Sequence, residues 1–282
     1  MRPALTRREV LRLGAGAAAG VAGSYALPTL LGAGVSTAEP APPPNAAPAY
    51  LTGSFVSAAR GGIETSWAIA RPPGPHQSLR PVIALHGRNG NAAGVMDLGV
   101  QDALTQAVKI GWPPFAVVSV DGGNSYWHKR ASGEDTGAMV LTELLPILSS
   151  QGLDTSRVAF LGWSMGGYGA LRLGAWLGPA RTAAICAVSP ALWTSFMATD
   201  PGAFDSVEDW ASNTVFGLPA LGSIPIRVDC GTSDRFYGST RQFVAQLRRP
   251  PAGGFWPGGH DVSFWTRLMP ADLSWIASLL TA

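Results

Sequence analysis

The pentapeptide Gly162-Trp163-Ser164-Met165-Gly166 stands directly after an apolar run and directly before a segment with helical spacing. In that context it predicts a sharp strand-to-helix turn that holds a serine hydroxyl clear of the sheet, with glycines two residues either side letting strand and helix approach. A serine hydroxyl is a poor nucleophile near neutrality, so it needs an adjacent base, and histidine is the suited residue type. The chain has 4 histidines. His76 lies in a Pro-rich loop, His86 ends an apolar run, His128 lies upstream of the serine, and His260 follows Gly258 and Gly259 near the C-terminus. The chain order nucleophile, acid, histidine selects His260 as the base for Ser164.

The acid must lie between them, after a late strand, where a carboxylate can hold the imidazole tautomer and stabilise the imidazolium. Asp234 fits, following an apolar run that ends at Cys230 and the turn Gly231-Thr232-Ser233. Asp229 is the competitor, but it falls within the strand, where its side chain would enter the sheet packing. Asp205, Glu208 and Asp209 have a plainer role as solvated or helix-starting charges. Asp261 is expected to fix its own loop rather than to orient the ring. Acyl transfer also builds charge on the carbonyl oxygen, which backbone N–H groups must meet. One donor is expected at Met165, the other in the loop His86-Gly87-Arg88-Asn89-Gly90, with the Arg88 amide favoured and Gly87 the alternative. Of the aromatics expected near these loops, Trp163, Trp127 and Trp193 are the candidate substrate contacts, against a plain alternative as packing residues.

These residues need a frame. Short apolar runs at Pro81–His86, Phe115–Val120, Val158–Gly162, Ala183–Val188 and Ile226–Cys230 alternate with helix-like segments at Val95–Val108, Ala138–Leu148, Gly167–Leu177 and Thr240–Leu247. Strand-helix repetition of this kind predicts an α/β fold: a mostly parallel central sheet with helices on both faces and its chemistry at the carboxyl ends of the strands. An opening hairpin is expected from Ser54–Ala59 and Glu64–Ala70 around Gly61 and Gly62. The long interruption 191–223 is the natural place for a small cap.

With 282 residues, 46% hydrophobic and 13% charged, the chain can bury a sizeable core, and one catalytic domain is expected over 50–282. The net charge of +2 and scattered basic residues exclude a nucleic-acid surface. Arg7 and Arg8, followed by a Gly/Ala/Val run to about Leu31 and small residues at Ser36 and Ala38, predict a twin-arginine export signal over 1–38. The Pro/Ala-rich stretch 39–49 is a spacer. Export implies a secreted or envelope-associated protein, touching membrane only if the signal stays uncleaved. Cys186 and Cys230 read as buried free thiols rather than a disulfide, and neither has the company of a metal site.

Taken together, Leu85-His86-Gly87-Arg88-Asn89-Gly90, Asp121-Gly122-Gly123-Asn124-Ser125-Tyr126-Trp127, Glu143-Leu144-Leu145-Pro146, Gly162 to Gly169, and Pro257-Gly258-Gly259-His260-Asp261 with Phe264-Trp265 resemble the esterase D family. That family includes S-formylglutathione hydrolases, feruloyl-type esterases and secreted mycolyltransferases, and the similarity covers most of 50–282. The resemblance implies an α/β-hydrolase fold, a serine triad on Ser164, His260 and an acid, oxyanion amides at Arg88 and Met165, no metal and no organic cofactor. The mycolyltransferase branch takes a Glu from the helix after the late strand, but Thr240 to Arg249 contains neither Glu nor Asp. Asp234 matches the Asp of the general esterase branch instead, and the export signal argues against a cytosolic glutathione-thioester role. The expectation is therefore an exported serine esterase acting on a small-molecule or lipid ester. An envelope acyltransferase with a sugar or lipid alcohol as acceptor is the alternative, and a non-catalytic envelope-binding protein the further one.

Overall fold

A computed structural model describes residues 50–280. The expected export signal 1–38 and the whole of the expected spacer 39–49 lie outside the described residues. Strands β1 (Leu51–Ser57) and β2 (Ile63–Ala70) form the opening antiparallel hairpin, turned by Gly61 and Gly62 at φ 72° and 87°. β2 then pairs antiparallel with β4 (Ala116–Val120). From there β3 (Pro81–Leu85), β5 (Val158–Trp163), β6 (Thr182–Val188), β7 (Ile226–Gly231) and β8 (Ala252–Trp256) continue the sheet in parallel, giving the order β1-β2-β4-β3-β5-β6-β7-β8.

The inner strands are apolar throughout because both faces are covered, yet side chains still alternate. On β3, Ile83 and Leu85 join one buried cluster and Val82 and Ala84 the other. The second cluster is closed by α1 (Ala92–Met96), α2 (Val100–Lys109) and α8 (Val262–Leu280). The first is closed by a π-helical stretch (Met139–Leu144), which the short α3 (Thr136–Ala138) leads into, and by α4 (Leu145–Ser150), α5 (Met165–Leu177) and α7 (Tyr237–Gln246).

Three departures from the sequence pattern have local causes. The helix expected over 95–108 is broken into α1 and α2, because Gly99 takes φ 83° at the start of the second. The helix expected over 138–148 holds the π stretch, whose wider turns the apolar spacing does not reveal. β8 and α8 were not anticipated at all: Gly253 and Gly254 dilute the strand signal, and Pro270 sits inside α8.

Segment 191–223, between β6 and β7, carries two 3₁₀ turns (Phe196–Ala198 and Pro219–Gly222) and α6 (Val207–Asn213). Its acidic residues are fasteners. Asp205 takes Arg130 as an ion pair at 2.6 Å, Asp209 reaches His128 at 3.3 Å, and Ser206 caps α6 through the Asp209 amide. Phe204 stacks on His128 with ring centroids 5.1 Å apart.

Candidate active site

The chain leaves β5 at Trp163 and enters α5 at Met165, so Ser164 alone must make the turn. It does so at φ 56° and ψ −124°, a conformation costing a non-glycine residue about 1–3 kcal/mol. The turn is clamped on both sides: the Ser164 N–H donates to Val188 O at 3.1 Å, and the Ser164 carbonyl accepts from Ala191 N at 2.9 Å and Tyr168 N at 3.1 Å. The two glycines are obligatory. A Cβ on Gly162 would stand 2.2 Å from Gly166 O, and one on Gly166 only 1.9 Å from Leu85 O.

His260 brings its Nε2 to 2.9 Å from Ser164 Oγ, and its Nδ1 to 2.9 Å from Asp234 Oδ2. The ring is gripped edge-to-face between Phe236 and Trp265, at centroid distances of 5.2 Å and 5.3 Å. Asp234 is buried, and its other oxygen accepts the Phe236 amide at 2.8 Å. Burial alone would raise its pKa, but hydrogen bonds from His260 and the Phe236 amide outweigh that and hold the carboxyl below its usual value. An ionised acid, an imidazole and a serine in this sequence can pass the hydroxyl proton to Nε2.

Met165 opens α5, so its N–H has no acceptor inside the helix. Facing it is the loop after β3, where a Cβ on Gly87 would lie 3.4 Å from Ser164 Cβ. His86 shapes this loop. Its Nε2 accepts the Gly122 amide at 2.9 Å, which leaves the proton on Nδ1 to be donated to Gly87 O at 2.7 Å. Burial holds this imidazole below its ordinary pKa, in keeping with a neutral ring. Asn89, at φ 61°, is locked to Asn124 by two bonds: Asn89 N–H donates to Asn124 Oδ1 at 2.7 Å, and Asn124 Nδ2 donates to Asn89 Oδ1 at 2.9 Å. Beside the triad, Leu192, Trp193, Asp200, Arg235 and Phe236 line a cavity of about 310 Å³.

A family profile described as "Putative esterase" matches residues 62–276. The chain belongs to that esterase family. No curated protein matches it by sequence. Among solved structures, a ferulic acid esterase superposes with a TM-score of 0.72 at 19% identity, over 82% of this chain and 98% of its own. The S-formylglutathione hydrolase of Staphylococcus aureus gives 0.67 at 17% identity, over 81% and 98%. A fluorophosphonate-binding serine hydrolase of the same organism gives 0.64 at 17% identity, over 81% and 98%. The protein is thus a carboxylic ester hydrolase with the α/β-hydrolase fold.

Within this esterase the candidate substrate contacts need correction. Trp127 is 0% exposed, its ring wedged where Cβ atoms on Gly122 or Gly169 would come within 2.4 Å of it. It is a core residue, placed there by its own φ of 57°. Trp163 is also buried and stacks at 6.2 Å on Trp265, the ring that packs against His260. Trp193 does line the cavity and packs on Phe236 at 5.4 Å. Asp229, the rival acid, is fully buried and occupied by Arg227 and Trp256. Asp261 accepts the Phe264 amide at 3.0 Å in the first turn of α8, fixing its loop as expected. Cys186 and Cys230 are free and buried. A feature the sequence did not single out is the Asn89–Asn124 pair; polar residues next to turns carry no periodic signal.

Proposed function

We propose that the esterase works through Ser164 as nucleophile, His260 as general base and then acid, and Asp234 as the acid that orients it. The observation that carries this is the relay of two 2.9 Å contacts, Ser164 Oγ to His260 Nε2 and His260 Nδ1 to Asp234 Oδ2, built on a strained turn. Ser164 Oγ bonds to the ester carbonyl carbon while its proton passes to Nε2, and the oxyanion takes the Met165 and Arg88 amides. Collapse of the intermediate breaks the bond to the alcohol oxygen, which receives the Nε2 proton and departs. Water then repeats the attack, giving its proton to His260 and returning Ser164 with release of the acid.

The substrate in this reading is a small-molecule or lipid ester seated against Trp193 and Phe236. The twin arginines at positions 7 and 8 support an exported enzyme. Labelling with a fluorophosphonate tests the mechanism: wild-type protein should take one label per chain, and Ser164→Ala none. Unlabelled, folded wild-type protein would sink it. Export is tested by replacing Arg7 and Arg8 with lysine, which should retain the protein inside the cell.

A further inference from the structure

His260 sits on a loop, residues 257–261, that hangs between β8, ending at Trp256, and α8, starting at Val262. Both elements are tied to one buried charged group that the reaction does not use. Asp229 Oδ1 accepts the Gly254 amide at 3.1 Å and the Trp256 indole N–H at 2.6 Å, so it fixes the end of β8. Its Oδ2 accepts from Arg227 Nε at 2.6 Å, and the same Nε reaches Asp272 Oδ1, on α8, at 2.8 Å. Through its backbone Asp229 also holds the turn after β6: its carbonyl accepts the Ser189 amide at 2.7 Å. Trp256 O and Gly258 O in turn accept Thr232 N and Ser233 N at 2.8 Å and 2.9 Å, strapping the His260 loop to the Asp234 turn.

Stability alone does not account for such a group. Asp229 and Asp272 are 0% and 1% exposed among apolar neighbours, and well-packed hydrophobic residues generally do as well or better than a buried ion cluster. What charged, directional bonds add is a fixed geometry. We propose that Asp229 is a positioning residue that, through the Trp256 indole and the Arg227–Asp272 link to α8, sets the reach of His260 to Ser164. This rests on the triad reading given above.

The test uses Trp256→Phe, Asp229→Asn and Asp229→Leu in the full chain, with kcat and KM measured on p-nitrophenyl butyrate per site titrated by fluorophosphonate. Trp256 is 43% exposed, so exchanging its indole for a phenyl ring removes the donor with little packing loss. Trp256→Phe should lower kcat about tenfold with KM within about twofold, because a fraction of an ångström in the relay costs rate and not binding. Asp229→Asn, which keeps the Oδ1 acceptor, should retain more kcat than Asp229→Leu; if the leucine variant does not fold, Trp256→Phe decides. Wild-type kcat per labelled site in Trp256→Phe and Asp229→Asn, with only Tm lowered, would overturn the positioning role. A wild-type protein that takes no label would overturn the triad reading itself, which separates the two failures.

Discussion

Replacing Asp234 by asparagine removes one charge and almost no volume, and the surroundings of the carboxylate dictate which way the new amide faces. One oxygen accepts the Phe236 N–H at 2.8 Å and the other accepts from His260 Nδ1 at 2.9 Å. The Phe236 amide can only donate, so the asparagine oxygen must stay on that side and its NH₂ must turn to His260. The imidazole is then forced to accept at Nδ1 and to carry its proton on Nε2, pointing at Ser164 Oγ. A base that already holds a proton at the reacting nitrogen cannot take another. Wrong-tautomer substitutions of this kind in serine triads lower kcat by about 10⁴, or about 5.4 kcal/mol of barrier. The measurement is kcat on p-nitrophenyl butyrate, normalised to folded protein by circular dichroism, with KM expected to stay within about threefold. A folded Asp234→Asn enzyme within tenfold of wild-type kcat would refute both the tautomer argument and the choice of acid.

Gly166→Ala places a methyl group 1.9 Å from Leu85 O, so strand and helix must part; a loss of at least about 3 kcal/mol is expected, read as a Tm drop of about 6–12 °C by calorimetry. Trp127→Ala should cost about 3–5 kcal/mol of stability with KM unchanged in the folded protein, whereas a raised KM at unchanged stability would restore Trp127 to the substrate. Asp272 yields a pH signature. Burial, followed by Asp229, raises its pKa to about 7 from 3.8 against the opposing pull of Arg227, with Cys186 its other titratable neighbour. The folded state therefore holds a proton that the unfolded chain has lost, so this group's contribution is full below about pH 4, falls as pH rises to about 7 and is gone above it. Relative to Asp272→Asn, the wild type should lose on the order of 4 kcal/mol across that window in urea titrations; parallel curves would refute the assignment.

What the sequence dictates and what the tertiary structure decides divide along a physical line. Local backbone demands are written locally. Gly162 and Gly166 around Ser164 announce a turn that only glycine neighbours allow, and the apolar runs announce a covered parallel sheet because no solvent-facing strand could be so apolar. Chain order and the scarcity of histidines singled out His260 for the same reason: candidates were few. What sequence could not show is where side chains separated by long stretches of chain meet. Ser164 and His260 are 96 residues apart and Asp234 and His260 are 26 apart, and their contacts exist because the sheet order sets β5, β6, β7 and β8 side by side. The tryptophans lay beyond a sequence reading for the same reason. Trp127, Trp163 and Trp193 are alike as residues, and only the packing around them makes the first a core wedge, the second a stacking partner of Trp265 and the third a cavity wall. Residue type and order determined the chemistry available to this chain, since those are properties of single side chains and short turns; tertiary packing decided which groups meet and which are sealed away, since that depends on the sum of distant contacts.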